Sequence, residues 1–334
     1  MPSTESGNLR KDRGHLASLQ SQGAIAISQT PLVVILGPTA VGKTGTAIRL
    51  AEHLDGEIVS ADSRLFYRGM DIGTAKPTPK QLSRVPHHMI DVADLDQVWS
   101  LTLFQRAAHD AIRGIHSRGR LPFLVGGTGQ YIRAITEAWQ IPEIKPDPQL
   151  RKALENWSSE IGTDGLHSRL TKLDPEAADK IDYRNLRRTI RALEVILRSG
   201  RLFSEQRQHS QSPFRTIQIG LSMPRTDLYA RIDARIDEML ASGLVEETQT
   251  LLDMGYAPDL PTFSAIGYRE IIDHLQGKIT LEEAITIIKR RTRQFVRRQA
   301  NWFKMDDPDI HWYEVEPDTM ADIETILRFW LTQD

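Results

Sequence analysis

The chain has 334 residues, a formal net charge of −2, 40% hydrophobic and 26% charged residues, and no cysteine. That length suits roughly two domains with room for a real core, and the composition is ordinary for a water-soluble globular protein. The absence of cysteine excludes disulfides, thiolate metal sites and thiol nucleophiles, and no apolar run approaches the ~18 residues of a membrane span.

The first 29 residues open MPSTESGNLRKDRGHLASLQSQ and lack an apolar core, so they read as a disordered tail rather than a secretory signal. Glu5 and Asp12 argue against a transit peptide. PLVVILG is then a short apolar, β-branched run, a predicted strand. It leads into GPTAVGKT, where Gly37 and Gly42 bracket Pro38, Thr39, Ala40 and Val41, and Lys43 and Thr44 follow. This is the spacing of a phosphate-binding loop. Ala47, Leu50, Ala51 and Leu54 repeat at helical intervals, which supplies the strand–loop–helix context such a loop needs. GEIVSADS predicts a second strand ending at Asp62. LTLFQRAAHDAIRGIHSRG predicts an amphipathic helix with Leu103, Phe104, Ala107, Ala111, Ile112 and Ile115 on one side. LPFLVGGTGQY predicts a third strand running into a second glycine-rich turn, which carries Thr128. Strands alternating with helices imply a parallel sheet, and ligands of such sheets sit beyond the carboxyl ends of the strands. The phosphate loop, Asp62 and the second glycine turn are therefore expected to converge on one crevice.

The texture changes near Trp139. IPEIKPDPQLRKALENW carries three prolines, then a helix start with Asp147 as cap and Pro148 in the first turn. Asp174 and Pro175 repeat that start. In NLRRTIRALEVILRSGRLF an apolar side is formed by Leu186, Ile190, Leu193, Ile196 and Leu197. TIQIGLSM, from Thr216, restores strand character, and more helices follow. The expected fold class is α/β. A P-loop NTPase-like parallel sheet core spans residues 30–138 and 216–334, with C-terminal helices, and residues 139–215 form an all-helical insertion.

The loop amides and the helix N-terminus suit an anion; Lys43 adds a point charge, and Thr44 has the hydroxyl position used to hold Mg²⁺. Arg231 and Arg235 in RIDAR share one side of a helix, where surface ion pairs with Asp227 or Asp233 would be the plainer role. His87 and His88 have no third ligand at close spacing and read as structural. Between Arg184 and Arg235 there are 11 arginines against four acids, and between Ala284 and Lys304 seven basic residues and no acid. One such run would be a solvated face; two point toward an anionic polymer. On these residues alone, a nucleoside or small-molecule kinase and an RNA-binding NTPase both remain open.

GPTAVGKT, DSRLFYRGMDIGTAKP, PHHMIDV, LVGGTGQY, RALEVI, IGYRE and TRQFVRRQANWF follow one another in an order that resembles the tRNA dimethylallyltransferases of bacterial type, from about Pro31 to Trp312. The resemblance implies transfer of a dimethylallyl group from dimethylallyl diphosphate to N6 of the adenosine 3′-adjacent to the anticodon, in tRNAs reading codons that begin with U. It implies Mg²⁺, the anticodon stem-loop as partner, no membrane, and a cytoplasmic monomer. The phosphate loop would then hold the donor diphosphate, with Arg235 and Arg231 reaching it. Asp62 matches the general base and Thr128 a residue touching the same adenine; Ser63, Arg64 and Leu65 match residues lining the acceptor nucleotide. Arg151, Arg187, Arg188, Thr189, Ile190 and Arg191 match anticodon-loop contacts. So does a segment of Ser264, Ala265, Ile266, Gly267, Tyr268 and Arg269, followed by a basic helix bearing Arg293 and Arg297. The sequence departs from relatives at SAIGYR, where many bacterial members have RCVGYR.

Overall fold

The computed structural model describes residues 29–141, 144, 146–205 and 212–333. The predicted tail lies outside them except for Gln29. Six parallel strands form one sheet in the order β3-β2-β4-β1-β5-β6. They are β1 (Thr30–Leu36), β2 (Gly56–Ser60), β3 (His87–His88), β4 (Leu121–Gly126), β5 (Phe214–Ser222) and β6 (Ile310–Glu314). The central strands are buried on both faces, as their continuous Val/Ile/Leu runs demand. Around them lie α1 (Lys43–His53), α2 (Pro79–Leu82), α3 (Leu101–Ser117) and α4 (Gly129–Thr136). After β5 come α8 (Arg225–Ala241), α9 (Leu244–Asp253), α10 (Tyr268–Leu275), α11 (Leu281–Ala300) and α12 (Thr319–Leu331).

Between β4 and β5 stand α5 (Pro148–Leu173), α6 (Pro175–Asp179) and α7 (Leu186–Ser199). They bury a small apolar cluster of their own, in which Leu154, Leu166, Leu170, Ile190 and Leu193 meet. The two Asp-Pro starts work as expected: Asp147 Oδ1 accepts from the amides of Gln149 and Leu150, and Asp174 Oδ1 from that of Ala177. The helix α5 is broken at Gly162, whose φ is 81°. None of the described helices is long and apolar enough to cross a membrane.

Three local expectations are corrected. The second strand stops at Ser60 rather than Asp62 because the Asp62 carboxylate accepts from the Arg64 amide at 3.0 Å and folds the chain into a turn. The return to the sheet begins at Phe214, two residues before Thr216. Two edge strands, β3 and β6, were not anticipated. His87 and His88 form the first of them, and His88 Nε2 lies 2.7 Å from the buried Glu57 carboxylate.

Candidate active site

β2, β4, β1 and β5 lie side by side, and the segments after them bring Asp62, Thr128, Lys43 and Arg235 to the same edge of the sheet. The chain leaves β1 toward β2 and leaves β5 toward β6, so the phosphate loop sits where the connections diverge.

The phosphate loop closes tightly. A Cβ on Gly37 would lie 2.5 Å from the Leu221 carbonyl oxygen, so only glycine lets the loop leave β1 beside β5. Gly42 enters α1 with φ 109°. Lys43 Nζ donates to the Pro38 carbonyl at 2.7 Å. Burial pushes the Lys43 ammonium down to about 8 against the pull of the Asp62 carboxylate, and the Arg235 charge lowers it further. Burial also lowers Arg235, while Asp62 and Glu238 raise it. Lys43, Asp62 and Arg235 thus feel one another's charge inside one crevice. The Arg231 guanidinium hangs over the loop, with Nη2 3.9 Å from where a Gly42 Cβ would stand. Among the described residues neither arginine pairs with Asp227 or Asp233, and Asp233 is taken by Arg293.

Thr128 precedes α4 without a side-chain cap bond and is half-buried. Behind it, Tyr131 stacks on Phe104 at 4.2 Å, and burial pushes its phenol up to about 12. Residues 62–76 form a long loop held from far along the chain. The Glu247 carboxylate accepts from the amides of Asp71, Ile72 and Gly73 at 3.0, 2.8 and 3.2 Å and also takes the Tyr268 hydroxyl. Lys76 is bound to Asp71, to Asp91 at 2.6 Å and to the Tyr67 carbonyl at 2.9 Å. Arg64 donates to the Thr262 carbonyl and the Ser264 hydroxyl, both at 3.2 Å, so the turn expected to line the acceptor nucleotide touches the segment expected to contact the anticodon loop. Ser63 and Leu65 are half-buried in the turn between them. The role of Glu247 is not visible in the sequence, since it holds backbone amides more than 170 residues away.

The expected RNA contacts divide. Arg187 is exposed and Arg188 half-exposed on α7, with no ion pair among the described residues; Arg297 is exposed near the end of α11. Arg269 is exposed and leans toward Asp273, and Ile266 and Gly267 lie beside it. Arg293 pairs with Asp233 and lies over Tyr229 at 5.3 Å. Four side-chain assignments are corrected: Thr189, Ile190, Ala265 and Tyr268 are buried in the protein, so none of their side chains is free to touch an RNA. Arg151 and Arg191 are held inside the insertion. Both grip Glu194, at 2.8 and 2.6 Å, and the Asp147 amide donates to the same carboxylate at 2.7 Å. Burial pushes Glu194 up, but the bonds from Arg151, Asp147 and Arg191 outweigh it and hold the carboxyl at about 2. Glu194→Ala should cost the insertion about 2–3 kcal/mol, because the arginines keep solvent while four charged hydrogen bonds are lost. Chemical denaturation followed by a tryptophan signal from Trp157 checks this; an unchanged midpoint would mean the cluster contributes nothing.

A parallel sheet with a phosphate loop after its central strand, a carboxylate after the next-but-one and arginines on the helix after β5 defines a P-loop-type α/β fold. A family model described as IPP transferase matches residues 65–306. A tRNA dimethylallyltransferase of Roseiflexus sp. (strain RS-1) is 50% identical over 301 residues, 90% of this chain and 99% of that protein. One from Dehalococcoides mccartyi is 43% identical over 90% of this chain and 93% of that protein. The solved tRNA isopentenylpyrophosphate transferase of Bacillus halodurans aligns with a TM-score of 0.68 at 43% identity, covering 90% of this chain and 96% of that one. A eukaryotic dimethylallyltransferase solved acting on tRNA aligns with a TM-score of 0.76 at 28% identity, covering 90% and 77%. The chain belongs to the tRNA dimethylallyltransferase (IPP transferase) family and is a transferase.

Proposed function

We propose that the crevice transfers the dimethylallyl group of dimethylallyl diphosphate to N6 of the adenosine 3′-adjacent to the anticodon, in tRNAs reading codons that begin with U. The observation that carries this is the meeting of Lys43, Arg235 and Asp62: an anion-holding pair faces a carboxylate across one crevice.

The loop amides, Lys43, Arg235 and Arg231 bind the diphosphate and meet the charge that grows on it as the bond from C1 of the allyl group to oxygen breaks. The lone pair of adenine N6 forms the new C1–N bond. Asp62 orients the amine and accepts the proton that N6 sheds, and Thr128 steadies the base. The adenine must leave its stack to reach this edge. The Thr44 side chain makes no hydrogen bond to the protein among the described residues and lies in the first turn of α1, so its hydroxyl would be the group to hold a Mg²⁺ beside the diphosphate. When bound, that ion neutralises charge on the leaving group. We read the protein as a cytoplasmic monomer.

Labelled dimethylallyl diphosphate incubated with an unmodified anticodon stem-loop tests the reading: label should move to the RNA with release of diphosphate. ATP hydrolysis stimulated by RNA, or phosphoryl transfer to a nucleoside, with no prenyl transfer, would replace it. The exposed arginines of α7 give a further expectation. Arg187→Ala with Arg188→Ala should lower the log–log salt slope of stem-loop binding by roughly 0.7–0.9 per lost phosphate contact, with inorganic diphosphate binding unchanged. An unaltered slope would make them a solvated face.

A further inference from the structure

One side chain joins the two glycine-rich loops. Gln299, in the last turn of α11, is 5% exposed. Its Oε1 accepts from the Thr39 amide of the phosphate loop at 2.9 Å, and its Nε2 donates to the Gly127 carbonyl beside Thr128 at 3.0 Å. The fit is close: a Cβ on Gly127 would lie 2.2 Å from Nε2, and one on Gly129 would run into Trp302, three residues after Gln299. The Trp302 carbonyl in turn accepts from Arg133 of α4 at 2.9 Å. The end of α11 is therefore packed against both turns at once. An amide is the group for this place, because it offers an acceptor to a peptide N–H and a donor to a peptide C=O.

We propose that Gln299 is a positioning residue that sets the spacing between the loop holding the donor diphosphate and the turn holding the acceptor base. The proposal rests on the prenyl-transfer reading above. Gln299 touches neither substrate and acts through the backbones of Thr39 and Gly127. Transfer requires the allyl carbon and N6 to approach within about 3–3.5 Å, and a misplacement near 1 Å costs on the order of 10²-fold in rate. Two hydrogen bonds on one buried side chain fix that separation directly. The same helix carries exposed Arg290 and Arg297, so the element expected to meet RNA is also the one that gauges the distance between the loops.

Gln299→Met keeps the volume and removes both hydrogen bonds. Its single-turnover rate, measured per folded enzyme and well below its unfolding temperature, should fall about 10–100-fold. Inorganic diphosphate and the stem-loop should each bind within about threefold of the wild type. Gln299→Glu adds a pH readout that a purely structural role would not move. The ionised carboxylate cannot donate to the Gly127 carbonyl, whereas the protonated form can. The ratio of the Gln299→Glu rate to the wild-type rate should therefore climb toward one as pH falls from about 8 to about 5, titrations common to both proteins cancelling. A Gln299→Met enzyme that is less stable but transfers at the wild-type rate overturns the proposal. If that variant does not fold, a pH-independent rate ratio for Gln299→Glu overturns it instead. Wild-type enzyme that transfers no prenyl group removes the function, and this role falls with it.

Discussion

Asp62→Asn lowers the single-turnover rate of prenyl transfer by ~10²–10⁴ while leaving stem-loop affinity nearly unchanged. The substitution is close to isosteric, and its Oδ1 can still accept from the Arg64 amide, the bond that shapes the turn. What disappears is the proton acceptor facing N6. A negative charge beside Lys43 and Arg235 disappears too, which makes the crevice more attractive to an anion, so donor binding should hold or tighten. Slow chemistry with undiminished binding is the signature of an interaction made in the transition state. Rapid-quench single turnover with enzyme in excess is the measurement. A near-normal rate in the Asn variant would remove Asp62 as the base and pass that role to a water or another group.

Lys43→Ala raises the donor KM and cuts the chemical step by about 10²–10³, because the charge it meets grows as diphosphate departs. The free site sets a pH dependence as well. Burial holds the Lys43 ammonium near 8 rather than the ordinary 10.5. A bound anion favours the charged form, so the lysine pKa rises on binding, and above pH 8 binding takes up a proton. Diphosphate affinity is therefore fully present below about pH 8 and declines as pH rises through it. In the Ala variant that decline should vanish, leaving weaker and flatter binding. Calorimetric titration with inorganic diphosphate at several pH values checks both parts; an identical pH profile in wild type and variant would assign the titration to another group.

The phosphate loop was legible because its chemistry is local: eight consecutive residues define the turn, the charge and the hydroxyl. Asp62 and Thr128 were placed by a rule about strand ends that needs only the order of strands, and Arg235 by the family resemblance. Edge strand β6 escaped because only Ile310 of its five residues is buried, so no alternation is written into IHWYE. β3 has two residues and no period at all. Counting charge between Arg184 and Arg235 could not set Arg191 apart from Arg187, since a count does not show who holds each arginine. Glu194, three residues after Arg191 and inside the same helix, was the available hint. The ties that hold the site's loops have backbone partners 176 and 260 residues distant, and no spacing rule reaches so far.

The grip of Glu247 on the amides of Asp71, Ile72 and Gly73 has a consequence for biosynthesis. The 176 residues separating Asp71 from Glu247 take about 10–35 s to add at the usual pace of translation. Throughout that interval the nascent loop has three amides with no carboxylate to receive them. The acceptor side of the crevice therefore takes shape late, after α9 has left the ribosome. A chain stopped before that helix has the residues of the phosphate loop but cannot yet hold the loop that leads from Asp62.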